Sequence, residues 1–221
     1  MTPLQAIVRP ALVLGLFTLV ATALLAVTDR YTRGPIAAAE RAALLRTLNR
    51  LIPAGAHDND LLADTLTLPP SPALGTRRPT TAYRARRRGR VETVAFTAVA
   101  PDGYNGDIVL LVAVHRDGRL AGVGVVSHRE TPGLGDAIEA SRGPWIRQFT
   151  GRALGDPPPA RWAVKKDGGA FDQLTGATIS PRAVVKAVKR ALAWFARHRE
   201  MLLAEDGATR VPADRHDPRR P

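Results

Sequence analysis

The sequence predicts an α/β fold of the α+β kind: a single N-terminal transmembrane helix, then one domain with an antiparallel-rich twisted sheet and flanking helices. Three observations carry this. Ala11 to Thr28 contains no charged residue. From Ala82 onward, apolar and polar residues alternate with the period of strands. Near the C-terminus, Ser180-Pro181 opens a long segment with an apolar stripe at helical spacing. A chain of 221 residues is long enough for one full domain beside an anchor.

The run ALVLGLFTLVATALLAVT would rise roughly 27 Å as a helix, near the thickness of a bilayer core. It is longer than a signal-peptide core and no A-x-A site closes it well, so residues 10–28 read as an uncleaved anchor after a short cytoplasmic segment 1–9. The charges flanking it, Arg9 before and Asp29, Arg30 and Arg33 after, are nearly balanced and do not orient it. Pro35 to Leu51 predicts an amphipathic helix opened by Gly34-Pro35, with Ile36, Ala39, Ala43, Leu44, Leu48 and Leu51 roughly on one face. Residues 53–81, with Pro69, Pro70, Pro72, Gly75 and Pro79, predict an irregular connection, so 29–81 is a helix plus connector.

Within the domain proper, 82–205, Tyr83–Arg87 and Val91–Ala100 flank a turn at Arg88-Gly89. Asp107–His115 and Leu120–Ser127 flank Arg116-Asp117-Gly118. These four segments predict an antiparallel meander. Ala137–Phe149 predicts a helix, and Trp162–Val164 a short strand. Ser180 as N-cap and Pro181 at the first helical position predict a helix to about Leu203, with Val184, Val188, Ala191, Leu192, Phe195 and Leu202 facing the sheet. The basic, polar tail 206–221 is expected to be disordered.

The formal net charge of +12 rests on arginine, the only lysines being Lys165, Lys166, Lys186 and Lys189. Such a bias can come from a GC-rich genome as readily as from a partner. No helix-turn-helix, zinc or RNA-recognition pattern accompanies it, so nucleic acid is not an expected partner. The arginines at 84, 86, 87, 88 and 90 read as the wet face and turn of the first hairpin, because a nucleic-acid patch would interleave aromatics. With no cysteine, the chain has no disulfide, thiolate or Cys-ligated iron–sulfur cluster. The five histidines lie too far apart for metal-ligand spacing, so neither a metal site nor a catalytic residue is expected. Any redox chemistry must come from a bound cofactor.

Three segments exceed what this fold requires. In Asp172-Gln173-Leu174-Thr175-Gly176-Ala177-Thr178, small residues let the backbone turn tightly just before a helix N-terminus, where free N–H groups and the helix dipole favour a phosphate. On spacing alone, the plainer reading of a loop leading into a capped helix is favoured. His128 to Asp136, HRETPGLGD, breaks a strand into a turn with exposed amides suited to a planar ligand's polar edge, or into a simple surface turn. Pro101 to Asp107 taken alone is a glycine-rich connection.

Together, DQLTGATIS, HRETPGLGD and PDGYNGDI behind one anchor resemble the G subunit of the Rnf/Rsx electron-transport complex and, more distantly, the C subunit of the sodium-translocating NADH:quinone reductase. Asn59-Asp60-Leu61-Leu62 belongs to the same resemblance. It implies a covalently bound FMN, joined by a phosphoester to Thr178. The pattern D-x-x-T-G-A-T, matched at Asp172, Thr175, Gly176, Ala177 and Thr178, is the one a flavin transferase recognises in that family. Glu130, Thr131 and Leu134 match the segment that lines the flavin ring, while Lys165 and Lys166 would either offset phosphate charge or be solvated. The resemblance further implies a domain on the periplasmic side of the bacterial inner membrane. The role implied is an electron relay in an ion-translocating oxidoreductase, an enzyme at the level of the complex. Its partners would be the other subunits, flavin transferase during maturation, and membrane lipid. A flavinylated regulatory or sensor protein and a non-catalytic anchored scaffold are the alternatives.

Overall fold

In the computed structural model, which describes residues 3–205, helix α1 spans Pro3–Leu51. Five strands follow in sequential antiparallel order: β1 Thr65–Leu68, β2 Thr80–Arg87, β3 Arg90–Gly103, β4 Gly106–His115 and β5 Leu120–Ser127. Helix α2, Ile179–Leu202, closes the order. The chain divides into two compact units, one ending at Leu44 and one beginning at Leu45.

The first unit holds the stretch of α1 apolar enough to cross a membrane, none of it buried within the chain. Gly34-Pro35 does not open a second helix as expected; α1 runs through it. Gly34 has no Cβ, which relieves part of the clash between a proline ring and the preceding residue, and helix-forming alanines follow. Of the expected stripe, Leu48 and Leu51 are buried while Ile36 is 54% exposed.

In the second unit the alternation of β3 and β4 sorts side chains onto two faces. Val94, Phe96, Ala98 and Ala100 pair across with Val114, Val112, Leu110 and Ile108 and face α2, where Phe96 lies 5.2 Å from the Trp194 ring and 6.3 Å from Phe195. The opposite face carries Ala95, Leu111 and Ala113, continued on β5 by Gly122 and Gly124. Those two missing side chains leave room for Leu51 and Thr47 from the last turns of α1. Both sheet faces are thereby covered.

The connector is more ordered than its prolines suggest. Thr65–Leu68 alternates at the period of a strand, burying Leu66 and Leu68 and pairing with Thr80–Tyr83 of β2, so the meander has five strands where four were expected. Ala137–Phe149 is not one helix. Gly143-Pro144 interrupts it, leaving short 3-10 helices at Gly135–Ile138 and Trp145–Phe149. Trp162–Val164 is no strand either, Val164 making only an isolated bridge to Phe171. Aromatic contacts hold this region together: Trp145 on Phe149 at 5.6 Å, Phe149 on Phe171 at 4.8 Å, and Trp162 on Phe171 at 4.9 Å. Helix α2 begins at Ile179, so Thr178, not Ser180, occupies its N-cap position. The tail 206–221 lies outside the described residues.

The first hairpin also departs from its reading as a wet face. Arg84 is 4% exposed and its Nε donates to Asp64 Oδ1 at 2.6 Å, while Arg86 Nε donates to the other oxygen of the same carboxylate. Arg84 and Arg86 lie two residues apart and so share one face of β2, opposite a bulge in which β3 carries the extra residue Glu92. Asn59 clasps the bulge, donating to Arg84 O at 2.9 Å and accepting from Arg86 N at 2.8 Å. Asp64→Ala leaves a buried guanidinium without its counter-charge, and loss of about 3 kcal/mol is expected. Denaturant unfolding measures it, and the Asp64→Leu/Arg84→Met pair should recover much of the loss.

Candidate functional site

Two tight turns face each other at the head of α2. In Leu174-Thr175-Gly176-Ala177 the N–H of Ala177 donates to Leu174 O at 3.2 Å, and Gly176 takes φ of 80°. In Thr131-Pro132-Gly133-Leu134 the N–H of Leu134 donates to Thr131 O at 3.1 Å, with Gly133 at φ of 78°. A positive φ at the third position is what a type II turn requires, and proline at the second pre-sets the other angle. A Cβ on Gly176 would stand 3.0 Å from Leu134 Cδ2, so the two turns touch there.

Between them lies a cavity of about 330 Å³. Glu130, Thr131, Leu134, Gly176, Ala177 and Thr178 line it, as do Tyr104, Gly135, Ile179 and Ser180. Six of the eight residues singled out in the sequence are thus brought to one place. Asp172 and Thr175 are not: both are exposed and outside the lining. Asp172 anchors the loop through its backbone, its carbonyl accepting from Trp145 Nε1 at 2.6 Å and its N–H donating to Gln148 Oε1 at 2.7 Å. Its carboxylate pairs with Lys165 at 2.5 Å, both side chains 61% exposed. Lys165 and Lys166 stand in a 3-10 helix rather than at a strand end.

Glu130 is the centre of this arrangement and is only 4% exposed. Its carboxylate accepts from Asn105 N–H at 3.1 Å, from Tyr104 N–H at 3.3 Å and from the Ser180 hydroxyl. One side chain therefore ties together the β3–β4 turn, the HRETPGLGD segment and the first turn of α2. Ser180, expected as a helix cap, serves instead as a donor inside that turn and is 1% exposed. The close approach depends on Gly135, where a Cβ would sit 2.8 Å from Ser180 Oγ and 2.9 Å from Glu130 Cβ. Glu130 is held from behind as well. Its N–H donates to His128 Nδ1 at 3.0 Å, which leaves Nε2 to face Glu139 Oε1 at 2.7 Å. Donation from the Ser141 hydroxyl, then from His128, holds the Glu139 carboxyl below its ordinary value.

Thr178 heads α2 with φ of −90° and ψ of −26°, and its hydroxyl makes no capping bond. The first N–H groups of a helix have no intrahelical acceptor, and the macrodipole adds partial positive charge there. A hydroxyl free of capping, at such an end and on the wall of a cavity, suits a phosphate ester whose organic part lies in that cavity.

A family profile for the FMN-binding domain matches residues 103–193, and one for the RnfG N-terminal region matches residues 1–51. The chain is similar to the G subunit of the ion-translocating oxidoreductase complex of Pseudomonas aeruginosa strain UCBPP-PA14, 50% identical over 204 residues, 92% of this chain and 95% of that one. The corresponding protein of Shewanella piezotolerans is 42% identical over 207 residues, 94% and 98% of the two chains. That of Vibrio atlanticus is 46% identical over 202 residues, 91% and 96%. The chain belongs to the family of G subunits of ion-translocating oxidoreductase complexes. Its match to the FMN-binding domain begins at the β3–β4 turn and runs most of the way through α2, taking in all three segments that meet at Glu130.

The residues present fit FMN: a free hydroxyl for the phosphate, a helix N-terminus for its charge, and an apolar wall of Leu134 and Ile179 for the ring. Tyr104, Gly135, Ile179 and Ser180 also line the cavity; they lie in the three quoted segments but were not among the candidate site residues. The glycines of PDGYNG and GLG were its visible signal, since they permit the approaches around Glu130.

Glu130→Gln replaces an acceptor oxygen by an amide donor opposite donors that have no other partner in the cluster. A loss of about 1–3 kcal/mol is expected, read by thermal unfolding together with weakened protection of the Tyr104 and Asn105 amides in hydrogen exchange. Glu139 gives a pH test. A lowered carboxyl contributes stability above its unfolded value near 4.5 and loses it as pH falls through the folded value. Wild type should exceed Glu139→Gln in unfolding temperature at pH 6, and the gap should shrink below about pH 4.5.

Proposed function

We propose that Thr178 carries FMN as a phosphoester and that the chain relays electrons within an ion-translocating oxidoreductase complex, its domain on the periplasmic side of the inner membrane. The observation that carries the reading is the placement of Thr178: an uncapped hydroxyl at a helix N-terminus, on the wall of the cavity formed by the two facing turns. Bound FMN supplies a carrier that takes up electrons in pairs and passes them singly.

The chain's own residues then have definable tasks. The Thr178 oxygen would hold the phosphorus, having lost its proton as the transferase cleaves the FAD pyrophosphate and AMP leaves, and the N–H groups of the first turn of α2 would balance the remaining charge of the phosphodiester. Leu134 and Ile179, each 44% exposed, cover part of the ring. Glu130 holds the walls in register, most of its acceptor capacity taken by Tyr104, Asn105 and Ser180. In this reading it positions the cavity rather than bonding the ring. Asp172 and Thr175 stand exposed beside Thr178 and are available for recognition by a flavin transferase. A cavity of about 330 Å³ is at the small end for ligand sites, so one edge of the ring stays open to a redox partner.

With no cysteine in the chain, electrons arrive from and leave to partner subunits that carry other centres. The names of the relatives, each a subunit of a complex, support such an assembly. The apolar run of α1 serves as the anchor and meets membrane lipid.

Co-expression of the exported chain with a flavin transferase tests the attachment. The purified wild type should be heavier than its sequence by FMN less one water, and the fluorescent proteolytic peptide should contain Thr178. Thr178→Ala should be folded and colourless, whereas a normal flavin yield from it removes the assignment. Reporter fusions after Leu51 test the side of the membrane: an exported phosphatase should be active there, and a fluorophore that matures only in the cytoplasm should stay dark.

A further inference from the structure

The larger concavity of the domain lies away from the flavin cavity. Its volume is about 1030 Å³, and it is lined by five arginines: Arg87, Arg88, Arg90, Arg116 and Arg199. They come from β2, the β2–β3 turn, β3, the β4–β5 turn and the end of α2. Two carboxylates share the lining, Glu92 and Asp117. Asp117 is engaged by its own turn, accepting from Arg119 N–H at 2.9 Å. Glu92 approaches Arg90 only to 3.9 Å. The guanidinium groups are therefore in excess over the carboxylates that could neutralise them. Two are oriented by the backbone: Arg116 donates to Val91 O at 3.0 Å, and Arg199 donates to Arg116 O. An arginine has five donors, so each retains others.

The turn at Arg88 supplies an independent sign. Arg87 pairs with Arg90, which leaves Arg88 and Gly89 as the two central residues, at φ of 52° and 79°. Positive φ at both positions defines a type I′ turn, whose first central residue is ordinarily Asn, Asp or Gly. Arg88 is the single non-glycine residue with positive φ among the described residues. Its N–H is held by Asp58 Oδ2 at 2.6 Å, which keeps the turn in place despite the unfavourable residue. An arginine kept where asparagine would be more stable points to work for the side chain.

We propose that this groove docks an acidic, carboxylate-rich segment of a partner protein. Arginines spread over separate elements suit an extended chain of charges rather than one small anion. The planar guanidinium fork matches carboxylates in pairs. Glu92 and Asp117 within the lining are tolerated by a peptide with spaced charges and repel a dense polyphosphate. The lining holds no Phe, Tyr or Trp, and its one ring, the His115 imidazole, is hydrogen-bonded to Thr93 Oγ1 at 2.9 Å, so it offers no row of rings for successive bases; a flat lipid surface does not enter a concavity. The groove sits at the opposite end of the domain from the flavin cavity, because α2 rises about 30 Å between Ile179 and Arg199. A partner held there leaves the flavin edge uncovered.

The test uses the full flavinylated chain in detergent and a fluorescein-labelled peptide of alternating glutamate and glycine, read by anisotropy at low salt. Wild type should bind it with an affinity that falls as salt is added. Arg87→Gln/Arg88→Asn should weaken binding roughly fivefold to twentyfold. Arg88→Asn alone should also weaken binding while keeping or raising the unfolding temperature and keeping the flavin. That combination of opposite signs is one a merely structural arginine does not give. Unchanged affinity in both variants overturns the proposal. So does destabilisation by Arg88→Asn, which would mean the residue serves the turn itself. Displacement of the peptide by pyrophosphate as effectively as by unlabelled peptide would make the groove a phosphate site and also overturn it, as would preference for a single-stranded oligonucleotide of equal charge.

Discussion

The geometry at the head of α2 depends on a buried carboxylate that three donors hold. Taking Glu130 out of water is favourable only because two backbone N–H groups and a hydroxyl converge on it. Those donors come from segments distant in sequence, so satisfying the charge and assembling the cavity are one event. The requirement spreads outward. His128 must present Nδ1 to the Glu130 N–H, Gly135 must leave room for the Ser180 hydroxyl, and the Thr131–Leu134 turn must meet Gly176. Thr178 is placed by this chain of contacts, being two residues from Ser180 on the same helix start.

The rest of the domain supports that end without taking part in it. A meander covered on both faces fixes where β3 and β4 stop, and hence where their connecting turn offers its amides to Glu130. The aromatic cluster of Trp145, Phe149, Trp162 and Phe171 does for the irregular region what a helix or sheet does elsewhere. Its Trp145 Nε1 fastens the backbone at Asp172, where the approach to Thr178 begins. At the other end, Asp64 performs for the first hairpin the task that Glu130 performs for the cavity, except that its partners are charged. A carboxylate organises each end of the sheet, Glu130 buried and Asp64 half-buried.

The arginines divide into two populations that composition does not separate. Arg84 and Arg86 are internal and paired, whereas Arg87, Arg88 and Arg90 are exposed on the groove. Strand alternation puts Arg84 and Arg86 on one face, where Asp64 meets them, and leaves Arg87, Arg88 and Arg90 at the open end of the hairpin. Periodicity groups Arg84 with Arg86, but that their face meets Asp64 is decided by a residue outside the run.

What the sequence determined by itself was local or pattern-borne. The uncharged run of α1, the alternation of β2 to β5, and the turn residues at Arg88-Gly89 and Thr131 to Leu134 are legible because each depends on neighbours within a few positions. The segment ending at Thr178 was legible as a motif. The sequence did not determine that β1 joins the sheet, since four residues ahead of Pro69-Pro70 carry too little pattern. It did not reveal that Ala137–Phe149 breaks at Gly143-Pro144, or that α2 begins before its proline. Above all, it marked Glu130 as a residue near the ring but not as the acceptor that gathers three segments. Which donors a buried carboxylate finds depends on groups brought together by folding, and only the tertiary structure could decide that.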